Sequence, residues 1–215
     1  VTQSLLLLSE AIALGFAPQW IASVEGDVLL SRTGRGEILR VVVARDGKPL
    51  YDQWVAVEPI GAATAPIDKN GRLGLVQVWR PVASATDPVI PWQVDVRMLG
   101  RLCWEIPRGF PEVGEQGSET ALREGGEEMG RHLSGPVCLG RYNANSTFFV
   151  NSIPLWTARV AGSGEVVAGD PNERILRASF FTTEKVGRML DSGDLEDGFT
   201  LAALTYLGRR GLFRL

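Results

Sequence analysis

The chain has 215 residues, of which 45% are apolar, and a net charge of −3; this fits one large globular domain, or one with a smaller partner, and supplies no basic field for long nucleic acid or an anionic membrane. Two cysteines, Cys103 and Cys138, are too few for a disulfide framework and read as reduced core residues. A single histidine, His132, excludes a multi-histidine metal site and weakens any Ser-His or Cys-His mechanism.

In chain order, residues 2–15 have a helical pattern ended by Gly15 and Pro18. The run Leu5-Leu6-Leu7-Leu8 has no basic stretch before it and is interrupted by Glu10, so a short buried or partner-facing helix fits better than a signal peptide. No run reaches the about 18 apolar residues needed to span a bilayer, and the expected location is cytoplasmic. Strands are expected at 20–24, 28–30, 38–44 and 53–59, with turn signals such as Asp46-Gly47 between them. Residues 1–60 therefore form a helix plus a mostly β subdomain that must pack on the rest of the chain or on a second subunit.

Beyond it, residues 61–215 alternate differently. Asn70-Gly71 marks a turn, 73–79 a core strand, 82–92 a loop with two prolines, and 94–104 another strand. Residues 118–131 are helical, with Ser118 placed to cap and Glu119 placed to suit the helix dipole. Strands at 137–141 and 148–160 follow, then a glycine-rich loop at 161–172, a strand at 174–181, and helices at 183–190 and 198–209. This order gives an α+β class.

The helix at 118–131 carries the chemistry. Glu124, Glu127 and Glu128 stand three and four positions apart and share one face; Arg123, four before Glu127, can hold that carboxylate. Acids so crowded are unfavourable unless a cation joins them, and hard Mg²⁺ or Mn²⁺ prefers such oxygen ligands. Gly125 and Gly126 each cost about 1 kcal/mol in a helix. Close packing on a strand, or the cation itself, must compensate. Taken as a bare charge run, a solvated acidic face would explain the pattern; the residues upstream change that reading.

Gly109, Glu115, Arg123, Glu124, Glu127, Glu128 and Gly130 stand at the spacing of Gly, five residues, Glu, seven residues, Arg-Glu, two residues, Glu-Glu, one residue, Gly. The segment thus resembles the Nudix hydrolase signature, with Gly125 and Arg131 standing where aliphatic residues are usual. Val78-Trp79-Arg80-Pro81, Trp104-Glu105-Ile106-Pro107-Arg108-Gly109 and Leu195-Glu196-Asp197-Gly198-Phe199-Thr200 are similar to motifs of the ADP-ribose and nucleotide-sugar pyrophosphatase branch, where alanine is more common than Arg108. The resemblance implies an α/β/α sandwich. It implies metal-dependent hydrolysis of a nucleoside diphosphate linked to another group, most simply ADP-ribose or a nucleotide sugar, by a homodimer assembled through the N-terminal piece. Glu124, Glu127 and Glu128 would hold Mg²⁺ or Mn²⁺, with the Arg108 carbonyl and Glu115 in support, and Arg123 would orient Glu127. Arg80, Glu105 and Arg108 would meet substrate. Glu173 would be the catalytic acid or base, with Glu165 and Asp170 as rivals, and Trp92, Phe110 or Tyr142 could stack on a base. A dinucleoside polyphosphate or RNA-cap hydrolase, and a non-catalytic nucleotide-binding module of the same fold, are the alternatives.

Overall fold

The structure, a computed structural model, describes residues 3–15, 36–80, 100–161 and 175–215, with side chains from residue 9 onward. It contains two compact units: Val1–Ile60 with Asn143–Ser152, and Gly61–Tyr142 with Ile153–Leu215. Among the described residues no helix is long and apolar enough to cross a membrane.

In the first unit, β1 (Gln3–Leu7), β2 (Glu37–Arg45) and β3 (Lys48–Val57) form an antiparallel sheet in that order. The expected helix over 2–15 is corrected to a strand followed by one short helix, α1 (Leu8–Ala13); pairing of Leu5, Leu6 and Leu7 with β2 overrides the helical pattern. The strands expected at 20–24 and 28–30 lie outside the described residues. Asp46 and Gly47 turn β2 into β3 with φ of 49° and 75°, the left-handed pair that a tight hairpin requires. Residues 148–152, expected to begin a strand, instead belong to this unit. There the Asn143 amide donates to the Phe149 and Asn151 carbonyls at 3.0 and 3.2 Å, and such side-chain bonds compete with a strand ladder.

The second unit is a mixed sheet with helices on both faces. Its order is β10 (Ile175–Phe181), β5 (Leu73–Arg80), β4 (Ala62–Ile67), β9 (Ile153–Val160), β8 (Leu133–Tyr142). Only β4 and β9 run parallel among these neighbours. β4 was not expected, because alanine and proline are poor strand formers. Its small side chains are buried from Ala62 to Pro66 and leave room for helices above and below. Thr64 faces α2 (Gly117–Met129), donating from Oγ1 to the Ala121 carbonyl at 2.8 Å. Ala63 and Ala65 face the opposite core, with Leu73, Leu75, Leu155, Val186 of α3 (Thr183–Asp191) and Leu207 of α4 (Gly198–Arg209).

β4 and β5 are joined at Ile67–Leu73 and then diverge like a fork. β6 (Arg101–Glu105) fills it along β5 and β7 (Arg108–Gly109) fills it along β4. The fork delivers Glu105, Arg108 and Gly109 to one place, just before the loop into α2.

Two smaller expectations are corrected. α2 begins at Gly117, so its cap is Gln116 rather than Ser118, and the Glu119 carboxylate reaches back to the Gln116 N–H at 2.7 Å. Cys138 is exposed because β8 is an edge strand, whereas Cys103 is half-buried; both are free.

Candidate functional site

Arg123 is the hub of the loop and helix. Its Nε and Nη2 donate to the two oxygens of Glu115 at 2.7 and 3.0 Å, in the bidentate geometry that suits guanidinium and carboxylate. Nη2 also donates to the Phe110 carbonyl at 2.8 Å, and Nη1 reaches Glu127 Oε2 at 3.1 Å and Glu124 Oε1 at 3.0 Å. Glu115 gains further hydrogen bonds from the Glu112 N–H and the Thr120 hydroxyl. Arg123 first, and these donors after burial is offset, hold the Glu115 carboxyl down to about 2. The same pairing with Glu115, opposed by burial, raises the Arg123 pKa. Three acids far apart in the loop and helix are thus bound to one cation.

Gly109 matters because it has no side chain. A β-carbon there would lie 2.0 Å from the Glu124 carboxyl carbon, so the Glu124 carboxylate packs directly against the backbone of β7. Glu124 and Glu128 are 8% and 7% exposed. Glu128 Oε2 accepts the Arg108 N–H at 3.1 Å. The Glu127 side chain, 29% exposed, lies nearer solvent.

The paired glycines pack as tightly as their helix cost requires. A β-carbon on Gly125 would meet Leu133 Cδ1 at 2.7 Å and Thr64 Cβ at 3.3 Å, and one on Gly126 would meet the Arg131 carbonyl oxygen at 2.9 Å. An aliphatic residue at 125 would displace the Leu133 side-chain tip and press on Thr64. Close approach to β4 is the compensation the structure displays.

A second charged group surrounds Glu105, 2% exposed. Arg80 Nη2 pairs with Glu105 Oε1 and its Nε donates to Oε2 at 3.2 Å. Arg108 Nη2 donates to the same Oε2 at 3.3 Å. Burial works to lower the Arg80 pKa, and the Glu105 carboxylate outweighs it, so the net shift is upward. Arg108 also faces Asp197 and Phe199, which the sequence reading did not place at the site. Asp197 caps α4 through the Thr200 N–H, and its partnership with Arg108 crosses too much chain to be read from spacing.

Of the expected stacking residues, Phe110 contributes its carbonyl to Arg123, and Tyr142 packs edge-on to Phe199 with centroids 5.1 Å apart. Glu173, Glu165, Asp170 and Trp92 lie outside the described residues. A cavity of about 650 Å³ runs beside Glu115, Arg123, Glu127 and His132; its lining includes neither Glu128 nor Glu105.

The donor set fits a hard divalent cation: all side-chain donors are carboxylates, two are nearly buried, and the Gly109 backbone adjoins them. Among the described residues, no three acid, histidine or cysteine side chains stand gathered as a ready chelate; Arg123 and the Arg108 N–H engage these carboxylates instead. No model of a known protein family matches the chain, and no curated protein matches its sequence.

Proposed function

We propose that this chain is a Nudix-type pyrophosphohydrolase, dependent on Mg²⁺ or Mn²⁺, that cleaves a nucleoside diphosphate linked to another group, most simply ADP-ribose or a nucleotide sugar, into a nucleoside monophosphate and a sugar phosphate. One observation carries the reading. The residues spaced like the Nudix signature close on each other in space, with Arg123 joining Glu115, Glu124 and Glu127, and Glu124 seated on Gly109.

In this reading Glu124, Glu127 and Glu128 hold the cation, supported by the Arg108 carbonyl and Glu115. A bound divalent ion neutralises diphosphate charge and lowers the pKa of a water. The protein supplies orientation. Arg123 fixes the loop through Glu115 and the Phe110 carbonyl and steadies Glu127. The Arg108 N–H fixes the rotamer of Glu128. Arg80, anchored on buried Glu105, presents N–H donors matched to phosphate oxygens.

The Arg123 guanidinium on Glu124, where a cation ligand is expected, favours a second reading: a nucleotide-binding module that does not cut. A panel of diphosphate conjugates with Mg²⁺, read as released nucleoside monophosphate, separates the two. The hydrolase reading expects turnover, and expects Glu128→Gln to lower kcat about 100-fold with a near-parental melting temperature. No turnover by the parent chain favours the binding module; a near-normal rate in Glu128→Gln sinks the metal assignment.

A further inference from the structure

Arg108 does separate work with its backbone and its side chain. The N–H goes to Glu128. The guanidinium turns toward Glu105 Oε2 at 3.3 Å and Asp197 Oδ1 at 3.8 Å, and lies with Cζ 4.6 Å from the Phe199 ring centroid. Asp197 divides its carboxylate. Oδ2 accepts the Thr200 N–H and hydroxyl at 2.9 and 2.7 Å, capping α4, and Oδ1 is left facing Arg108. Phe199 is itself held edge-on by Tyr142. An arginine side chain with four rotatable bonds is thereby fixed on three sides.

We propose that Asp197 is a positioning residue that, with Phe199, holds the Arg108 guanidinium beside Arg80 as a binding group for the substrate's diphosphate. The choice of ligand rests on the pyrophosphohydrolase reading. Glu105 alone accepts hydrogen bonds from both Arg80 and Arg108, and Asp197 balances the second charge from too far to take an N–H, so further N–H donors remain on the outer sides of both guanidinia. Those sides reach solvent, the side chains being 34% and 27% exposed. At 3.8 Å Asp197 lies beyond hydrogen-bond range. It steers the guanidinium by charge without occupying an N–H, and the fixed fork loses little entropy on meeting phosphate.

The test uses the full chain in EDTA, titrated with ADP and with inorganic pyrophosphate, followed by KM and kcat on whichever conjugate is turned over. Asparagine caps helices about as well as aspartate, so Asp197→Asn keeps the α4 cap and removes the charge toward Arg108. Arg108→Ala should weaken ADP binding about tenfold or more. Asp197→Asn should weaken it several-fold and raise KM by a matching factor, with a smaller change in kcat and an unchanged melting temperature. Parental ADP affinity in both variants, or a loss that only follows a fall in melting temperature, overturns the inference. A parent chain that binds neither ADP nor pyrophosphate overturns it as well. Turnover by the parent together with normal binding in both variants leaves the hydrolase standing and removes this arm of the site; weakened ADP binding without any turnover does the reverse.

Discussion

The two charged groups flanking Gly109 are opposites in construction. On the α2 side one cation, Arg123, serves three acids, Glu115, Glu124 and Glu127. On the β6 side one buried acid, Glu105, serves two cations, Arg80 and Arg108. The first group therefore carries surplus negative charge, whereas Asp197 beside Arg108 brings the second to an even count of charges. The acidic arrangement is not the cheapest way to stabilise a fold, since an even pairing satisfies the same groups without like-charge repulsion. An acidic surplus beside a balanced group rich in guanidinium N–H donors suits a ligand pair that is itself divided, a divalent cation and the diphosphate it accompanies.

Removing each hub breaks the comparison most directly. Arg123→Met takes the shared cation from three acids and should cost about 2 kcal/mol, discounted for a partly exposed site; Glu105→Gln takes the shared charge from two guanidinia around a buried position and should cost about 3 kcal/mol. The diagnostic is what restores each. Millimolar Mg²⁺ should recover melting temperature in Arg123→Met, and pyrophosphate should recover it in Glu105→Gln. If one ion restores both variants equally, or neither ion restores its own, the two groups do not differ in the way their charges imply.

The sequence made the first group legible and the second only half so. Glu115, Arg123 and Glu127 lie on one loop and one helix, so their spacing reports their geometry. Arg80, Glu105 and Asp197 come from β5, β6 and the start of α4, and no local rule joins them. β4 escaped notice for a related reason. Ala62-Ala63-Thr64-Ala65-Pro66 has weak strand propensity because its side chains are chosen by the helices packed above and below, not by the strand. Gly125 departs from an aliphatic pattern, and Leu133 and the β-branched Thr64 fill the space opposite it that a side chain there would take.

The glycines sharpen the comparison at the next level, because the acidic group stands on a helix that contains two of them. Gly187 in α3 is a control: a β-carbon there meets nothing within 4 Å, whereas at Gly126 it meets the Arg131 carbonyl oxygen at 2.9 Å. That oxygen is backbone in the turn where the Arg131 N–H donates to the Gly126 carbonyl at 2.9 Å, so it cannot swing aside. Gly187→Ala should stabilise by about 0.5–1 kcal/mol, and Gly126→Ala should destabilise by about 1 kcal/mol after the same propensity gain is offset. Denaturant midpoints report both. Equal stabilisation by the two would mean that α2 is not held close to its turn and that the acid face is softer than its packing implies.

The smallest effect tests the electrostatics of the acidic group alone. Arg123 holds the Glu115 carboxyl from its ordinary 4.5 down to about 2 in the folded chain. A depressed carboxylate contributes stability that is complete above the unfolded-state value and is lost as pH falls through the folded-state value. Glu115→Gln removes that contribution and leaves the shape of the loop. The stability difference between parent and variant should therefore be small near pH 2, grow as pH rises to about 4.5, and stay level above it. A difference that is constant across this window would mean that Arg123 holds Glu115 through hydrogen-bond geometry with no preference for its charged form. The acidic surplus that distinguishes this group from its counterpart at Glu105 would then be weaker than the count of charges indicates.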